Sequence, residues 1–347
     1  MILLPAPLRL RLDKAALVSN WNWLNQRSGN AACGAAIKAN GYGTDAPGVM
    51  RQLAAAGCRD FFVANWAEAL ALSPLADGLS LSVLHGVRAE DMAVARQGSV
   101  RPVLNTAQQI QRWKDTGGGP CDVMVDTGMN RLGLGMDEAV SGLLDGLVIE
   151  TLLSHLACAD EDHVLNMRQL ERFSVLRSKI AARRYSLANS AGICLGHDYA
   201  FDLTRPGLAL YGGIPRAEAR GHIAQVAFPE AQILQRKTAL AGEGIGYNAT
   251  RTAERDMELG ILNIGYADGY LRGFSNSGAV MVEGVRLPVV GRVSMDLLII
   301  DLTAMPELEE GDWVTLDYEP ERASAQSGLS QYELLTGLGN RLERYWR

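Results

Sequence analysis

Residues 33–43 have the sequence Cys-Gly-Ala-Ala-Ile-Lys-Ala-Asn-Gly-Tyr-Gly, an apolar run that leads through one lysine into a glycine-rich turn. The run at 33–38 is typical of a buried β-strand. Because no Gly-x-Gly-x-x-Gly motif follows this first strand, an open nucleotide-binding sheet is disfavoured. Lys38 is one of only five lysines in the chain. Burial at a strand end would lower the pKa of its amine and make it a nucleophile or base. A side chain that extends to solvent is the plainer alternative.

Further apolar runs follow, and segments with helical spacing separate them. The predicted strands are 33–38, 61–64, 81–84, 101–105, 121–126, 149–155, 185–189 and 203–211. Eight strands that alternate with helices predict an α/β fold, a (β/α)8 barrel of the TIM type.

The pattern changes after about Gly213 into short alternating strands separated by Gly, Asn and Asp turns. These strands are predicted at 232–239, 258–264, 278–282, 285–290, 297–302 and 313–316, and a helix is predicted from Ser330 to about Leu342. We therefore predict two domains, a barrel over residues 1–222 and a mostly β domain over residues 223–347.

The composition excludes several functional classes. The chain has 347 residues, of which 48% are hydrophobic and 21% charged, as in ordinary globular proteins. A net charge of −6 without any basic block disfavours a nucleic-acid partner. Five cysteines without a Cys-x-x-Cys pair predict neither a disulfide framework nor a metal site. No apolar run approaches bilayer length and no signal-peptide pattern opens the chain, so a cytoplasmic enzyme without a membrane partner is predicted.

Polar residues of several types fall where the predicted barrel strands end. Catalytic residues of (β/α)8 barrels collect at the carboxyl ends of the strands. The sequence therefore predicts an active site that contains Lys38, Asp126, His155, Asn189 and Arg205.

These residues belong to longer motifs that extend through both predicted domains. The motifs are Ala-Ile-Lys-Ala-Asn-Gly-Tyr-Gly (36–43), Val-Asp-Thr-Gly-Met-Asn-Arg-Leu-Gly (125–133), Ser-His-Leu-Ala (154–157), Asn-Ser-Ala (189–191), Arg-Pro-Gly-Leu-Ala-Leu-Tyr-Gly (205–212), Gly-Tyr (246–247), Ile-Gly-Tyr-Ala-Asp-Gly (264–269) and Gly-Arg-Val-Ser-Met-Asp (291–296). In kind and in order they resemble the motifs of the alanine racemases, which are fold-type III pyridoxal-phosphate enzymes.

The resemblance implies an enzyme that interconverts L- and D-alanine with pyridoxal 5′-phosphate as cofactor. It implies that Lys38 binds the cofactor and is the base on one face of the substrate Cα, while Tyr247 serves the opposite face. Racemisation needs both, because the proton leaves one face and returns to the other. In the family this tyrosine comes from the other subunit, so a homodimer with shared active sites is implied. His155, linked to Arg205, would polarise the tyrosine.

The resemblance also implies a set of binding residues. Arg205 would lie at the pyridine nitrogen and keep it unprotonated, which suppresses transamination. The other implied cofactor contacts come from Tyr42, Arg131, His155, Asn189, Ser190, Gly207 and Leu208, and the implied substrate contacts from Arg131, Met295, Asp296 and Tyr266, with Arg272 beside Tyr266 at the entrance. A plain turn glycine at 207 and a helix N-cap at 190 are the alternatives.

The chain departs from the family's pattern at Met124, where a carbamylated lysine is common. An unpaired buried guanidinium is costly, so our hypothesis is that a bound anion or a nearby carboxylate neutralises Arg131 instead. Three rival functions are open. A serine or broad-spectrum racemase and a decarboxylase share the architecture, whereas a non-catalytic pyridoxal-phosphate carrier is typically a single barrel. Arg205 disfavours the decarboxylase, and the second domain disfavours the carrier. The family implies D-alanine supply for peptidoglycan, and D-alanine catabolism fits the same sequence.

Overall fold

The structure is a computed structural model that describes residues 6–98 and 100–347. It contains two compact units. The barrel unit comprises Leu17–Leu210 and Ile214–Ala224. The β unit comprises the described residues up to Ala16 together with Tyr211–Gly213 and Gln225–Arg347. The predicted division at residue 222 grouped the beginning of the chain with the barrel, whereas contacts group it with the β unit.

The barrel unit is built on parallel strands that follow one another in chain order. Seven form one sheet: Ala35–Ala36, Asp60–Val63, Ser80–Val83, Arg101–Leu104, Cys121–Met124, Ile149–Leu153 and Arg184–Ser186. An eighth, Leu203–Thr204, pairs in parallel with Ala32–Cys33 at the start of the first strand. Backbone bonds from Gly34 N to Thr204 O (2.9 Å) and from Arg205 N to Ala188 O (2.9 Å) join the eighth strand to both edges. The predicted α/β barrel with eight strands is confirmed.

The last barrel strand is shorter than predicted. The prediction extended it over 203–211, but pairing ends at Thr204 and a 3-10 turn occupies Leu208–Tyr211. Pro206 has no N–H to donate to a strand ladder, which accounts for the early end.

Helices cover the barrel and begin and end where local sequence signals are strong. They are Lys14–Arg27, Ala46–Ala56, Trp66–Leu72, Met92–Ala95, Ala107–Asp115, Met136–Ala139, Val164–Lys179 and Ser190–Leu195. The helix Ala46–Ala56 has proline in its first turn and ends at Gly57, whose φ of 116° favours glycine. Its buried residues include Val49 and Leu53, which lie one turn apart on one face of the helix.

Two kinds of side chain fill the interior of the barrel. Near the beginnings of the strands, the buried Asp60 accepts hydrogen bonds of 2.6 and 3.0 Å from Arg184. Towards the carboxyl ends lies an apolar cluster that consists of Phe62, Val103, Met124, Leu153 and Leu203. The apolar cluster therefore closes the floor beneath the strand ends, where the candidate site residues follow.

The β unit consists mainly of one branched sheet. Its strands are Leu8–Leu12, Ala227–Ala239, Met257–Leu262, Ala279–Val282, Val285–Pro288, Leu298–Asp301, Trp313–Leu316 and Glu343–Trp346, with a separate pair formed by Gly244–Ile245 and Arg251–Thr252. Leu8–Leu12 runs antiparallel to Ala227–Ala239 and parallel to Glu343–Trp346. This pairing explains why the beginning of the chain belongs to the β unit. The predicted mostly β second domain is confirmed.

The end of the chain differs from the prediction. Two helices, Pro320–Ser327 and Gln331–Thr336, replace the single helix predicted from Ser330 to Leu342. A capping box of Ser330 and Glu333 starts the second helix, and Gly337 follows its last residue. The prediction was therefore right about the beginning and wrong about the length. Among the described residues, no helix combines the length and the apolar character that crossing a membrane requires.

Candidate active site

Lys38 lies at the beginning of an unusual turn. The five residues after it all have positive φ: Ala39 53°, Asn40 53°, Gly41 64°, Tyr42 55° and Gly43 80°. Gly41 N donates to Ile37 O (2.8 Å) and Gly43 N donates to Ala39 O (2.8 Å), so this segment is a left-handed helical turn. Each non-glycine residue in this conformation costs roughly 1–2 kcal/mol. Such strain persists only where surrounding contacts hold it.

Three side chains stabilise the lysine turn, by which we mean residues 38–43, through hydrogen bonds. Glu68 accepts hydrogen bonds from Ala39 N (2.8 Å) and from Ala64 N (2.7 Å). Asn40 Oδ1 accepts from Ala46 N (3.0 Å). Thr44 Oγ1 donates to Gly41 O (2.5 Å). The sequence interpretation missed Glu68, although Asn65 three residues before it marks a helix N-terminus and accepts from Glu68 N (3.0 Å).

The environment of Lys38 lowers the pKa of its amine. Burial is the largest cause, the charges of Arg131 and Arg205 add to it, and the charge of Glu68 opposes it. The strand-end position predicted this direction. A larger fraction of the amine is therefore uncharged at neutral pH than in an exposed lysine, as a nucleophile or base requires.

Arg205 is a buried cation with 6% of its surface exposed. Its guanidinium donates to Ser154 O (2.6 Å) and to Ser186 Oγ, and it lies 5.9 Å from the centre of the Phe62 ring. Burial lowers the pKa of Arg205 to about 10, and the charge of Asp122 opposes this shift. Arg205 therefore stays protonated at neutral pH and can only donate hydrogen bonds.

His155 is held in its neutral form. Burial, followed by the positive charges of Arg205, Arg131 and Lys38, lowers the pKa of His155 to about 3. The family's pattern led us to expect a link between His155 and Arg205. Within the described part of the chain the structure gives an electrostatic interaction and no hydrogen bond between these side chains, because the guanidinium bonds go to Ser154 and Ser186.

Donor groups converge near the end of the last barrel strand. Ser190 Oγ accepts from Gly207 N (2.9 Å) and from Ala209 N (3.3 Å). A Cβ placed on Gly207 would collide with the Tyr42 hydroxyl and lie 2.7 Å from the Tyr42 Cζ atom. Glycine is therefore required by this close approach and is more than a turn residue. The N-cap of the following helix is Asn189, which accepts from Gly192 N (2.8 Å), so the alternative of an N-cap at Ser190 is wrong.

Asp126 organises the loop that contains Arg131. Its carboxylate accepts from Gly128 N (2.8 Å), Met129 N (2.8 Å) and Arg131 N (2.9 Å). Burial alone would raise the pKa of Asp126, but these backbone donors outweigh it and lower the pKa. Asp126 is thus a loop-forming residue, and the loop presents Arg131 at the surface.

Met124 and Arg131 lie in different environments. Met124 is buried in the apolar cluster with 7% of its surface exposed, whereas Arg131 is exposed in a single copy of the chain. Within one copy, an exposed guanidinium is hydrated and needs no buried counterion. The hypothesis that an anion neutralises Arg131 stays a prediction for the assembled site.

The β unit contains the second group of predicted residues. Tyr247 is 65% exposed and begins a 3-10 turn, Tyr247–Ala249. Met295 is 53% exposed, and its carbonyl accepts from Ala267 N (3.0 Å). Tyr266 N donates to Ser294 O (3.0 Å), and the Arg272 guanidinium lies 5.3 Å from the centre of the Tyr266 ring. The structure therefore brings Tyr266, Arg272 and Met295 together, as expected for neighbouring parts of one surface.

Arg341 connects this group and was missed by the sequence interpretation. Its guanidinium donates to both carboxylate oxygens of the buried Asp268 (2.6 and 2.8 Å) and to Asp296 (2.7 Å). A virtual Cβ on Gly265 would lie 2.5 Å from the Met295 carbonyl carbon, so the two segments pack backbone against backbone. No local signal marks Arg341, since its partners are distant in sequence and a helix had been predicted there.

Comparison with known families decides the relationship of this chain. A family model described as alanine racemase, N-terminal domain, matches residues 12–215, and one described as alanine racemase, C-terminal domain, matches residues 226–346. The chain belongs to the alanine racemase family. This membership confirms the resemblance inferred from the motifs.

Individual alanine racemases resemble the chain along nearly its whole length. It is 38% identical to the alanine racemase of Acidiphilium cryptum, with 96% of this chain and 97% of that protein covered. It is 39% and 40% identical to the biosynthetic and catabolic alanine racemases of Agrobacterium fabrum, which cover 98% and 96% of this chain and are themselves covered to 94% and 91%.

Solved structures of alanine racemases have the same fold. The alanine racemase of Bartonella henselae, solved with covalently bound pyridoxal phosphate, has a TM-score of 0.91 and 35% identity, with 99% of this chain and 100% of that chain covered. The biosynthetic alanine racemase of Pseudomonas aeruginosa has a TM-score of 0.89 and 32% identity, with the same coverage of both chains.

Proposed function

We propose that this protein is a pyridoxal-phosphate-dependent racemase that interconverts L- and D-alanine. The observation that carries the proposal is the pairing of Lys38, an amine with a lowered pKa at a barrel strand end, with the buried cation Arg205. An amine is needed to attach the cofactor. A donor-only residue such as Arg205 leaves the pyridine nitrogen unprotonated.

The groups near the end of the last barrel strand fit a phosphate. Phosphates in proteins are held by backbone N–H groups and hydroxyls. The hydroxyls of Ser190 and Tyr42 meet the backbone of Gly207 here, and the Gly207 N–H, which donates to Ser190 Oγ, would turn to the phosphate. Leu208, the next residue, begins the 3-10 turn beside them. These four residues would hold the phosphate of the cofactor, and Lys38, Arg205, His155, Asn189 and Arg131 would hold its ring. The bound cofactor withdraws electrons and acidifies the substrate Cα–H.

The side chains of this protein then move the proton. Lys38 takes it from, or returns it to, one face of the Cα atom. Tyr247 does the same on the other face, and its exposure of 65% suits a side chain that acts in the site of a second copy. A tyrosine with a pKa of about 10 is a weak base and needs a polarising partner. Neutral His155 can accept a hydrogen bond and, beside the cation Arg205, is our proposed partner.

The carboxylate of the substrate needs donors of its own. We propose Arg131 in the barrel unit and the Met295 backbone N–H in the β unit, with Asp296 and Tyr266 around them. The Tyr266 ring with the Arg272 guanidinium against it would narrow the approach, which favours a small substrate such as alanine. The chain is about equally identical to a biosynthetic and to a catabolic relative, so the proposal concerns the reaction and assigns no pathway.

Incubation with each alanine enantiomer in deuterated buffer tests the proposal. We expect both enantiomers to be converted to the racemate with deuterium at Cα. Chiral chromatography measures the ratio of the enantiomers, and mass spectrometry measures the deuterium. Serine offered in parallel measures how strictly alanine is preferred. Exchange without inversion would contradict the two-base assignment, and an inert protein that nevertheless binds the cofactor would overturn the enzymatic proposal.

A further inference from the structure

Glu68 has an unusual set of hydrogen-bond partners. In a capping box the carboxylate at the third helical position accepts from the backbone N–H of the N-cap residue. The N-cap here is Asn65, but Glu68 accepts from Ala64 N (2.7 Å) and from Ala39 N (2.8 Å). Ala64 directly follows the strand Asp60–Val63, and Ala39 directly follows Lys38. One carboxylate therefore joins the ends of two neighbouring barrel strands.

The contact with Ala39 falls where the lysine turn is most strained. Ala39 is the first of the left-handed residues. Glycine tolerates this conformation because it has no Cβ and asparagine because its short side chain can hydrogen-bond locally, and alanine has neither advantage. Its N–H is not bonded within the turn, whose internal bonds start from Gly41 N and Gly43 N. Glu68 supplies the acceptor for this N–H, and charge-assisted bonds of this kind are stronger than neutral ones.

We propose that Glu68 is a positioning residue for Lys38: it holds the lysine turn on the end of the next strand, and its negative charge acts on the amine. The inference rests on the proposed role of Lys38. The charged or titratable neighbours that act on Lys38 are the cations Arg131 and Arg205, the neutral His155 and the anion Glu68. Of these, Glu68 alone raises the pKa of Lys38, so its loss leaves burial and two cations unopposed.

Glu68→Gln tests both parts of the proposal with little change in shape. Glutamine keeps one acceptor oxygen and replaces the other with a donor, so one backbone N–H loses its partner. We expect amides in residues 38–46 to exchange hydrogen for deuterium about tenfold faster in the cofactor-loaded full chain, measured by mass spectrometry.

The second measurement follows Lys38 itself. After the cofactor is removed, acetic anhydride labels uncharged amines over a range of pH, and mass spectrometry quantifies the peptide that contains Lys38. The other four lysines are internal references. We expect the Lys38 profile of Glu68→Gln to lie about one pH unit lower than in the wild type, because an opposing charge has been removed.

Glu319→Gln is the matched control. Glu319 also accepts two backbone N–H groups at a helix N-terminus, from Glu321 (3.2 Å) and Arg322 (2.8 Å), but it belongs to the β unit. We expect it to leave both measurements on residues 38–46 unchanged. The proposal requires both changes in Glu68→Gln and neither in the control, and any other outcome overturns it. Both readouts are independent of turnover, so an inactive wild type would refute the proposed function without deciding this point.

Discussion

The two groups of site residues differ in how completely their own unit surrounds them. In the barrel unit, Arg205 is 6% exposed, Tyr42 is 7% exposed, and Ser190 bonds to its neighbours. In the β unit, Tyr247 and Met295 have more than half of their surfaces exposed, 65% and 53%. A buried polar side chain must satisfy its hydrogen bonds within its own unit, whereas an exposed side chain can contact another molecule. The barrel group is therefore organised by its own fold, and the β group is available to a second copy.

The largest effect is expected in the barrel group. Because we propose Lys38 as both the attachment point and one base, we expect Lys38→Ala to reduce racemisation by at least ~10⁴-fold. Lys237→Ala, at an exposed strand position, is the control and should retain wild-type turnover. The measurement is the rate of conversion of each enantiomer. Activity in Lys38→Ala above this limit would mean that another amine performs the role.

Tyr247→Phe tests the exposed group. We expect a loss of ~10²–10⁴-fold in turnover, because the proton donor and acceptor on one face is missing. The melting temperature should stay near that of the wild type, since an exposed hydroxyl contributes little to stability.

Mixing the two inactive variants tests whether sites are shared between copies. If Lys38 and Tyr247 act in the same site but come from different subunits, dissociating and reassociating equal amounts of Lys38→Ala and Tyr247→Phe should restore about a quarter of wild-type activity, because half of the dimers are mixed and each contains one complete site. No recovery in mixed dimers would show that each copy completes its own site. The exposure of the β group would then not reflect contact with a second copy.

A smaller effect is expected where the barrel group packs most tightly. Gly207→Ala places a methyl group against the Tyr42 ring and displaces its hydroxyl, so we expect cofactor affinity to fall by ~10–100-fold. Gly135→Ala is the matched control, because a Cβ there meets no atom within 4 Å and φ is −61°. Cofactor titration followed by absorbance measures both. Unchanged cofactor affinity in Gly207→Ala would mean that other residues bind the phosphate.

The smallest effect is expected for Arg341→Ala in the β group. Arg341 is half-exposed, but its removal leaves the buried Asp268 without its two guanidinium bonds and frees Asp296. We expect KM for alanine to rise by ~3–10-fold and kcat to change less, because the change affects substrate positioning. Arg236→Ala, which loses bonds to Pro306 O and Glu258, is the control. An equal loss of kcat in Arg341→Ala would show that Arg341 acts in the chemical step.

The sequence predicted the architecture more accurately than the ends of its elements. Apolar runs separated by segments with helical spacing located all eight barrel strands, because a parallel strand that lies under helices is buried on both faces. The last strand and the terminal helix were predicted too long. The strand ends at Thr204, before Pro206, and the helix ends at Thr336, where the φ of Gly337 is −78°, a value that any residue can adopt. The strand Leu8–Leu12 was assigned to no sheet, because its partners are more than two hundred residues away.

Among the site residues, too, local sequence patterns and contacts between distant residues differ in what they reveal. Lys38, His155, Asn189 and Arg205 entered the proposal because they lie at or near barrel strand ends and belong to recognisable motifs. Glu68 and Arg341 were not found, because their partners, Ala39 and Asp268, lie 29 and 73 residues away in sequence. Contacts over such separations depend on the packing of whole elements, which a single sequence does not display.

By itself, the sequence determined the order of strands and helices and the mostly β character of the second part, and it supplied the motifs from which the reactive side chains are proposed, because these depend on local periodicity and residue chemistry. The tertiary structure alone decided that the lysine turn is left-handed, that Glu68 holds it, that Arg131 is exposed and that Arg205 is bonded to Ser154 and Ser186. The physical reason is that conformation, burial and charge at one residue are set by atoms that the chain brings together from distant positions. The run at 33–43 specifies a lysine at the end of a strand, and the surrounding barrel determines the pKa and the position of its amine.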